Sequence, residues 1–548
     1  MRTTTDRTPS PEETGARAAF RVGAGIFTSR LAGFVREAVF AYYFGATAVA
    51  DVWRAALRTP NVIQNLLGEG TLSASFIPVY AEFLEEGREE EAGRFAGAAL
   101  GILATVAFGL ALAGVLLAPW LIRLLFFDWP PWMQELAVRI VRILFPMTAV
   151  LVVSAWALGV LNTHRRFFVS YVAPVFWNAA MIAALVAFGS WLGWEAAGRD
   201  AELAVILAWG ALAGSVLQLG AQLPWVVGHL RHFRLSLGRR VEGVREAIRN
   251  FVPVVTARGV VNVSGWIDVI LAAQLAVGAV AVLGYAQLLY TLPISLFAMS
   301  VAASELPELS RRREEARAVL APRVRVALER IAFLLIPSAL AYLFLGDVLT
   351  AALFQRGEFG EADTLVVYGV LAAYTLGLPA SSASRTLSSA YYALRDTRTP
   401  ARIAYLRVAV SIALGVSLMF PLDRFGVGEL RFGAAGLALG ASAAAWLEYA
   451  LLRRRLAMMI GEHGPGRDAL LRVAAAGIAA TAVGVGAQLL LPEPAGLARI
   501  LGGLPGLSAE AVEPLLRALE TVLPYGVTYL GVARALGPGP DGTGPRPP

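Results

Sequence analysis

The chain has 548 residues, 57% of them hydrophobic and 16% charged, with a net charge of +7. A mean hydropathy of +0.62 excludes a soluble globular domain and points to a polytopic membrane protein. The absence of cysteine excludes disulfides and thiolate metal sites. All 47 basic residues are arginine, and their collection in loops suits anionic lipid rather than nucleic acid.

Residues 1–17 read as a disordered tail, without the apolar core and cleavage site of a signal peptide. Residues 537–548 read as a second tail. Between them lie fourteen apolar stretches long enough to cross a bilayer at roughly 20 residues each. They are 18–44, 49–80, 95–126, 134–161, 168–189, 202–228, 250–276, 279–307, 324–353, 364–393, 401–421, 433–452, 469–491 and 511–535. The expected fold is an all-α polytopic membrane protein with fourteen transmembrane helices. Gly68 and Gly70 are expected to break the second span, whose remainder continues at an angle.

The first two spans carry charges that a lipid-facing helix should avoid. Arg30, Arg36, Glu37, Asp51, Arg54, Arg58 and Glu69 all fall between Ser29 and Pro78, and a central Arg or Asp costs roughly 2.5 to 3.5 kcal/mol on insertion scales. These side chains must face protein or water. Asp51, Arg54, Arg58, Asn61 and Asn65 recur at helical spacing and form one polar stripe. Each charge alone could belong to a structural ion pair, but an excess of Arg over acid within a membrane favours an anionic ligand.

Arginine also orients the chain. Alternate loops hold 22 arginines against 5 in the opposite set, so both termini are expected in the cytoplasm. The histidines His164, His229, His232 and His463 sit in or beside the basic loops, where solvated side chains are expected rather than ligands.

An internal repeat is visible at an offset of roughly 230 residues. Leu57-Arg-Thr-Pro60 and its following apolar run to Pro78 resemble Thr291-Leu-Pro293 and its run to Pro307, and the loop at Leu161-Asn-Thr-His-Arg-Arg resembles that at Leu394-Arg-Asp-Thr-Arg. Spans 1–6 (18–234) and 7–12 (247–456) therefore read as two six-helix lobes related by a pseudo-two-fold along the membrane normal, with two extra C-terminal helices at 468–536. Such a pair is expected to enclose a central cavity opened alternately to each side. The second lobe adds Arg258, Asp268, Glu305 late in span 8 and Arg407, charges that an inert bundle should avoid, and of these Arg258 and Arg407 are candidates to line the cavity. Asp268 could pair with Arg258, bind Na⁺ or H⁺, or lie at the lipid edge. Asn178 and Gln218 read as helix–helix hydrogen bonds.

No nucleotide-binding, metalloprotease or nucleophile-elbow motif is present, and the outward loops are short. Translocation or binding is the better class than catalysis. No cofactor is expected.

Ser29-Arg30-Leu-Ala-Gly33-Phe-Val-Arg36-Glu37, Phe44-Gly45-Ala46, Ala50-Asp51, Arg58-Thr-Pro60-Asn61, Gly68-Glu69-Gly70, Ser75-Phe76-Ile77-Pro78, Leu353-Phe354-Gln355-Arg356-Gly357 and Tyr392-Ala-Leu-Arg-Asp396-Thr-Arg-Thr-Pro400 follow one another along almost the whole chain. Together this series resembles the MurJ (MviN) lipid II flippases of the multidrug/oligosaccharidyl-lipid/polysaccharide exporter superfamily. The resemblance implies a fourteen-helix flippase in the bacterial cytoplasmic membrane, a transporter rather than an enzyme. It would move undecaprenyl-pyrophosphate-linked disaccharide-pentapeptide to the periplasmic leaflet for peptidoglycan synthesis, with the polyprenyl tail beside spans 13 and 14. By position it carries over functional cavity roles to Arg30, Arg36, Asp51 and Arg58, and guanidinium forks suit pyrophosphate oxygens.

The chain departs from the family pattern at three places. Gln64 and Leu288 stand where the family has arginine, and Gly415 stands where a sodium-site amide is often found. Arg54, Arg258 and Arg407 are expected to restore the charge. The expected substrate contacts are thus Arg30, Arg36, Asp51, Arg54, Arg58, Gln64, Arg258 and Arg407, with Asp268 as a cation site and coupling to Na⁺, H⁺ or membrane potential left open. The protein is expected to act as a monomer among membrane lipids. The alternatives are a cation-coupled antiporter for cationic drugs, a flippase for another polyprenyl-linked glycan, and a non-transporting scaffold.

Overall fold

A computed structural model describes residues 11–193, 199–230, 232–238, 241–295, 316–501 and 508–537. The helices are α1 (Pro11–Phe44), α2 (Ala48–Leu67), α3 (Glu69–Glu85), α4 (Glu89–Leu125), α5 (Pro131–Thr163), α6 (Phe167–Leu192), α7 (Asp200–His229), α8 (Val244–Ala272) and α9 (Ala279–Pro293). After them come α10 (Ala316–Phe354), α11 (Glu361–Thr375), α12 (Leu378–Ala393), α13 (Arg398–Leu422), α14 (Gly433–Ile460), α15 (Arg467–Leu490), α16 (Ala495–Leu501) and α17 (Ala509–Ala535). Helices dominate because lipid offers no hydrogen bonds, so each spanning segment must pair its own N–H and C=O groups.

Eight described helices are long and apolar enough to cross a membrane: α4, α5, α6, α7, α10, α13, α14 and α15. The pair α11 and α12, bent by 42°, makes a ninth if it is one span. On α4, Leu112, Leu116, Trp120 and Leu124 recur every four residues and are each more than half exposed, a face suited to acyl chains.

Several expectations meet a different backbone. Helix α1 begins at Pro11, inside the stretch read as a tail. The second span does break at Gly68, whose N–H donates to the Gln64 carbonyl at 2.7 Å while the Thr71 hydroxyl takes up the Leu66 carbonyl at 2.7 Å. Gly70 stays helical within α3. Span 10, read as continuous over 364–393, is broken after Thr375, because Pro379 near the start of α12 has no N–H to continue the ladder. The freed carbonyls find donors on α14: Ser442 donates to Ala373 at 2.7 Å, and the Trp446 indole donates to Leu376 at 2.8 Å. A two-residue hairpin, β1 (Gly426–Val427) with β2 (Leu430–Arg431), joins α13 to α14. Glu305 lies outside the described residues.

The chain divides into two compact units, residues 1–44 with 52–266 and residues 45–51 with 267–548. The division falls inside α8 rather than in the basic connection before it. In the first unit Phe76 stacks on Tyr80 and Phe95 at 5.2 and 5.4 Å, fixing α3 on α4. There too, the irregular segment 232–238 lies along α4 over Gly93, Gly97 and Gly101, where a β-carbon would strike the main chain of His232, Arg234 and Ser236. In the second unit Leu345, Ala476, Ala480, Tyr525 and Tyr529 pack α10, α15 and α17 together. The Tyr525 and Tyr529 hydroxyls donate to the Pro337 and Phe333 carbonyls of α10 at 2.7 and 2.5 Å.

Candidate functional site

In the first unit Arg36 of α1 and Arg54 of α2 meet on one acid. Glu37 is 8% exposed and bridges two arginines: Arg36 Nη2 lies 2.5 Å from one carboxylate oxygen, and Arg54 Nη2 lies 2.7 Å from the other. A buried carboxylate needs such partners, because leaving it unpaired costs several kcal/mol. Each guanidinium is also stacked, Arg36 over the Trp177 ring of α6 at 4.9 Å and Arg54 over Phe40 at 5.1 Å.

Arg30 and Arg58 are half-buried, and neither has a carboxylate partner among the described residues. The Arg58 guanidinium rests on the bare Cα of Gly265 in α8, where a β-carbon would collide with its terminal nitrogen. Gln64 is half-buried one turn before the α2 break, and its main-chain carbonyl closes that break. Of the four arginines in this stretch of α1 and α2, two are paired to Glu37 and two have no carboxylate partner among the described residues.

The remaining candidates are placed otherwise. Asp51, expected to line the cavity, is 2% exposed, and its two oxygens accept the N–H groups of Gly278 and Ala281, each at 2.7 Å, at the start of α9. This carboxylate caps a helix N-terminus, where the four leading N–H groups lack intrahelical partners. Arg407, expected to restore lost charge, pairs with the buried Glu448 at 2.8 Å. Arg54, assigned the same task, shares Glu37. Asp268 is half-buried in α8, while the side chain of Arg258 lies outside the described residues. Leu288 is half-buried, and the neighbouring Gln287 amide donates to the Tyr374 hydroxyl at 3.0 Å.

The polar residues read as helix–helix contacts divide. Gln218 donates to Ser154 at 2.9 Å and Ser154 to Gln222 at 2.7 Å, which ties α7 to α5. Asn178 instead donates within α6, to the Pro174 carbonyl at 3.0 Å. Two of the histidines expected to be solvated are not. His463 is 1% exposed, and burial followed by the neighbouring Arg453 and Arg325 lowers its pKa. His164 takes a hydrogen bond with the Tyr80 hydroxyl at 3.1 Å; burial first, then His229 and Arg166, holds it below the usual range.

Glu37, Trp177 and Gly265 were not on the expected contact list. Glu37 carried a signal in its position beside Arg36 and seven residues from Arg30, whereas Trp177 and Gly265 sit in ordinary apolar runs.

Residues 40–493 match the family described as Lipid II flippase MurJ. A probable lipid II flippase MurJ of Rhizobium tropici is 32% identical over 435 residues, 78% of this chain and 78% of the relative. The lipid II flippase MurJ of Burkholderia cenocepacia is 32% identical over 444 residues, 80% of this chain and 82% of the relative. Among solved structures, a lipid II flippase MurJ in an inward closed conformation superposes with a TM-score of 0.70 at 21% identity, covering 94% of this chain and 99% of that one. An inward-facing multidrug resistance MATE family transporter of the MOP superfamily gives 0.61 at 16% identity, covering 81% of this chain and 98% of that one.

Proposed function

This chain belongs to the lipid II flippase MurJ family, and from that premise we propose that it carries lipid II from the cytoplasmic to the periplasmic leaflet by alternating access. It is a transporter and not an enzyme, a multi-pass protein of the bacterial inner membrane. The observation that carries the reading is the surplus of arginine over acid on α1 and α2. Arg30 and Arg58 offer guanidinium groups without a described carboxylate, and a pyrophosphate presents several oxygens that two-pronged N–H donors fit. Arg36 retains N–H groups beyond the one given to Glu37.

The finer architecture belongs to the same proposal. To the nine spans recognisable by apolarity are added α1, α2, α8, α9 and α17, making fourteen; α9 is apolar but only 15 residues long, and the other four carry charged residues that lower their hydropathy. Two six-helix lobes related along the membrane normal, two C-terminal helices, monomeric action and cytoplasmic termini complete it, supported by the internal repeat and the arginine-rich loops. Asp268 is the proposed site for Na⁺ or H⁺ coupling. A cation-exporting antiporter shares the fold, but the excess of arginine over acid between Arg30 and Arg58 disfavours a cationic cargo.

The test is complementation of a flippase-depleted bacterium together with lipid II accessibility at the outer leaflet. Arg30→Ala and Arg58→Ala are expected to insert normally and abolish both; full rescue by both variants rejects the site.

A further inference from the structure

Arg36 is held directly by two residues, Trp177 on α6 and its chain neighbour Glu37 on α1. The face of its guanidinium lies over Trp177 on α6, 4.9 Å from the ring centroid. Trp177 is itself anchored: its indole N–H donates to the Ala211 carbonyl of α7 at 3.0 Å. A β-carbon at Gly214 of α7 would lie 2.9 Å from the Trp177 carbonyl oxygen, so glycine there lets α7 close on the α6 main chain at Trp177. Along its edge Arg36 donates one N–H to Glu37 at 2.5 Å, and Glu37 is fixed from its other side by Arg54 on α2 at 2.7 Å. The remaining N–H groups of Arg36 have no protein partner among the described residues.

We propose that Trp177 is a positioning residue for anion binding through Arg36. The indole sets the plane of the guanidinium, Glu37 sets its rotation within that plane, and the edge left over is presented to a pyrophosphate oxygen. This rests on the pyrophosphate reading given above. The physical gain is preorganisation. A free arginine must give up the rotamer freedom of a long side chain when it binds, whereas one stacked and bridged in advance has lost that freedom on folding. Tryptophan offers the strongest aromatic face for a cation, so the ring holds the plane without neutralising the charge. A second carboxylate would orient Arg36 equally well but would compete with the ligand.

The bland alternative is that Trp177 only packs α6 against α1 and α7. Equilibrium binding of lipid II to the full-length protein in lipid nanodiscs separates the two. Trp177→Leu is expected to weaken binding roughly two- to thirty-fold, the range of a cation–π contact, while Trp177→Phe keeps most of it. In an Arg36→Gln background the Leu substitution is expected to cause no further loss, because the effect travels through Arg36. An equal loss in both backgrounds overturns the proposal. Should Trp177→Leu fail to fold, Trp177→Phe against Trp177→Met carries the same comparison, and equal affinities overturn it. If Arg36→Gln and Arg58→Gln both leave affinity unchanged, the pyrophosphate reading itself is rejected, whatever Trp177 does.

Discussion

The two units treat charge inside apolar helices in opposite ways. In the second, Arg407 meets Glu448 one to one, and Asp51 is matched by the N-terminal N–H groups of α9. In the first, Arg36 and Arg54 share Glu37, while Arg30 and Arg58 have no carboxylate partner among the described residues. A balanced pair satisfies the cost of burial and leaves nothing over for a ligand. An unbalanced group keeps its stabilisation waiting for an anion. On the proposed reading, the difference separates charges that build the fold from charges that meet the ligand.

The comparison can be broken at its centre. Glu37→Gln removes the shared acid and leaves Arg36 and Arg54 facing each other, at an expected cost of about 3 to 5 kcal/mol. Thermal unfolding should show the loss, and added lipid II should restore part of it; an unchanged midpoint would mean that Glu37 does not compensate the arginines. Asp51→Ala should cost about 2 to 4 kcal/mol by stripping two charge-assisted bonds from α9. Faster hydrogen exchange at the Gly278 and Ala281 amides checks it, and Asp51→Asn, with one acceptor left, should fall between.

Finer changes sharpen the contrast. Gly265→Ala should push the Arg58 guanidinium aside and lower lipid II transport roughly tenfold, a change worth about 1.4 kcal/mol, while unfolding barely moves. Glu448→Gln, which releases the partly exposed Arg407, should cost under about 1 kcal/mol and leave transport intact; a transport defect would place Arg407 among the working charges. The smallest effect is expected from pH. Because the fold holds His164 below its ordinary pKa, the neutral ring is favoured, so its contribution is complete above the unfolded value near 6.5. That contribution is lost as pH falls from there toward the lowered folded value. His164→Gln should flatten the decline in unfolding midpoint between roughly pH 7 and 5.

What could be read from the chain alone follows from distance along it. The stripe from Asp51 to Asn65 was legible because one helix repeats every 3.6 residues, and the Gly68 break because glycine and its neighbours mark it locally. The cap formed by Asp51 was not, since Gly278 lies 227 residues further on and nothing in the local pattern joins them. The break before α12 was hidden by an apolar run that Pro379 interrupts without ending. Trp177 escaped notice because an aromatic in an apolar span is ordinary until a guanidinium is found over its face. The pairing of Arg407 with Glu448 needed α13 beside α14, and helix neighbours are not written in hydropathy.

The segment over Gly93, Gly97 and Gly101 works as a vernier. Four residues of helix advance about 6 Å, and two residues of extended chain advance about 6.6 Å. Each second residue of 232–238 therefore finds the next glycine with little accumulated mismatch. Inserting or deleting a single residue between His232 and Ser236 would put that scale out of step, so this connection should tolerate altered side chains far better than altered length.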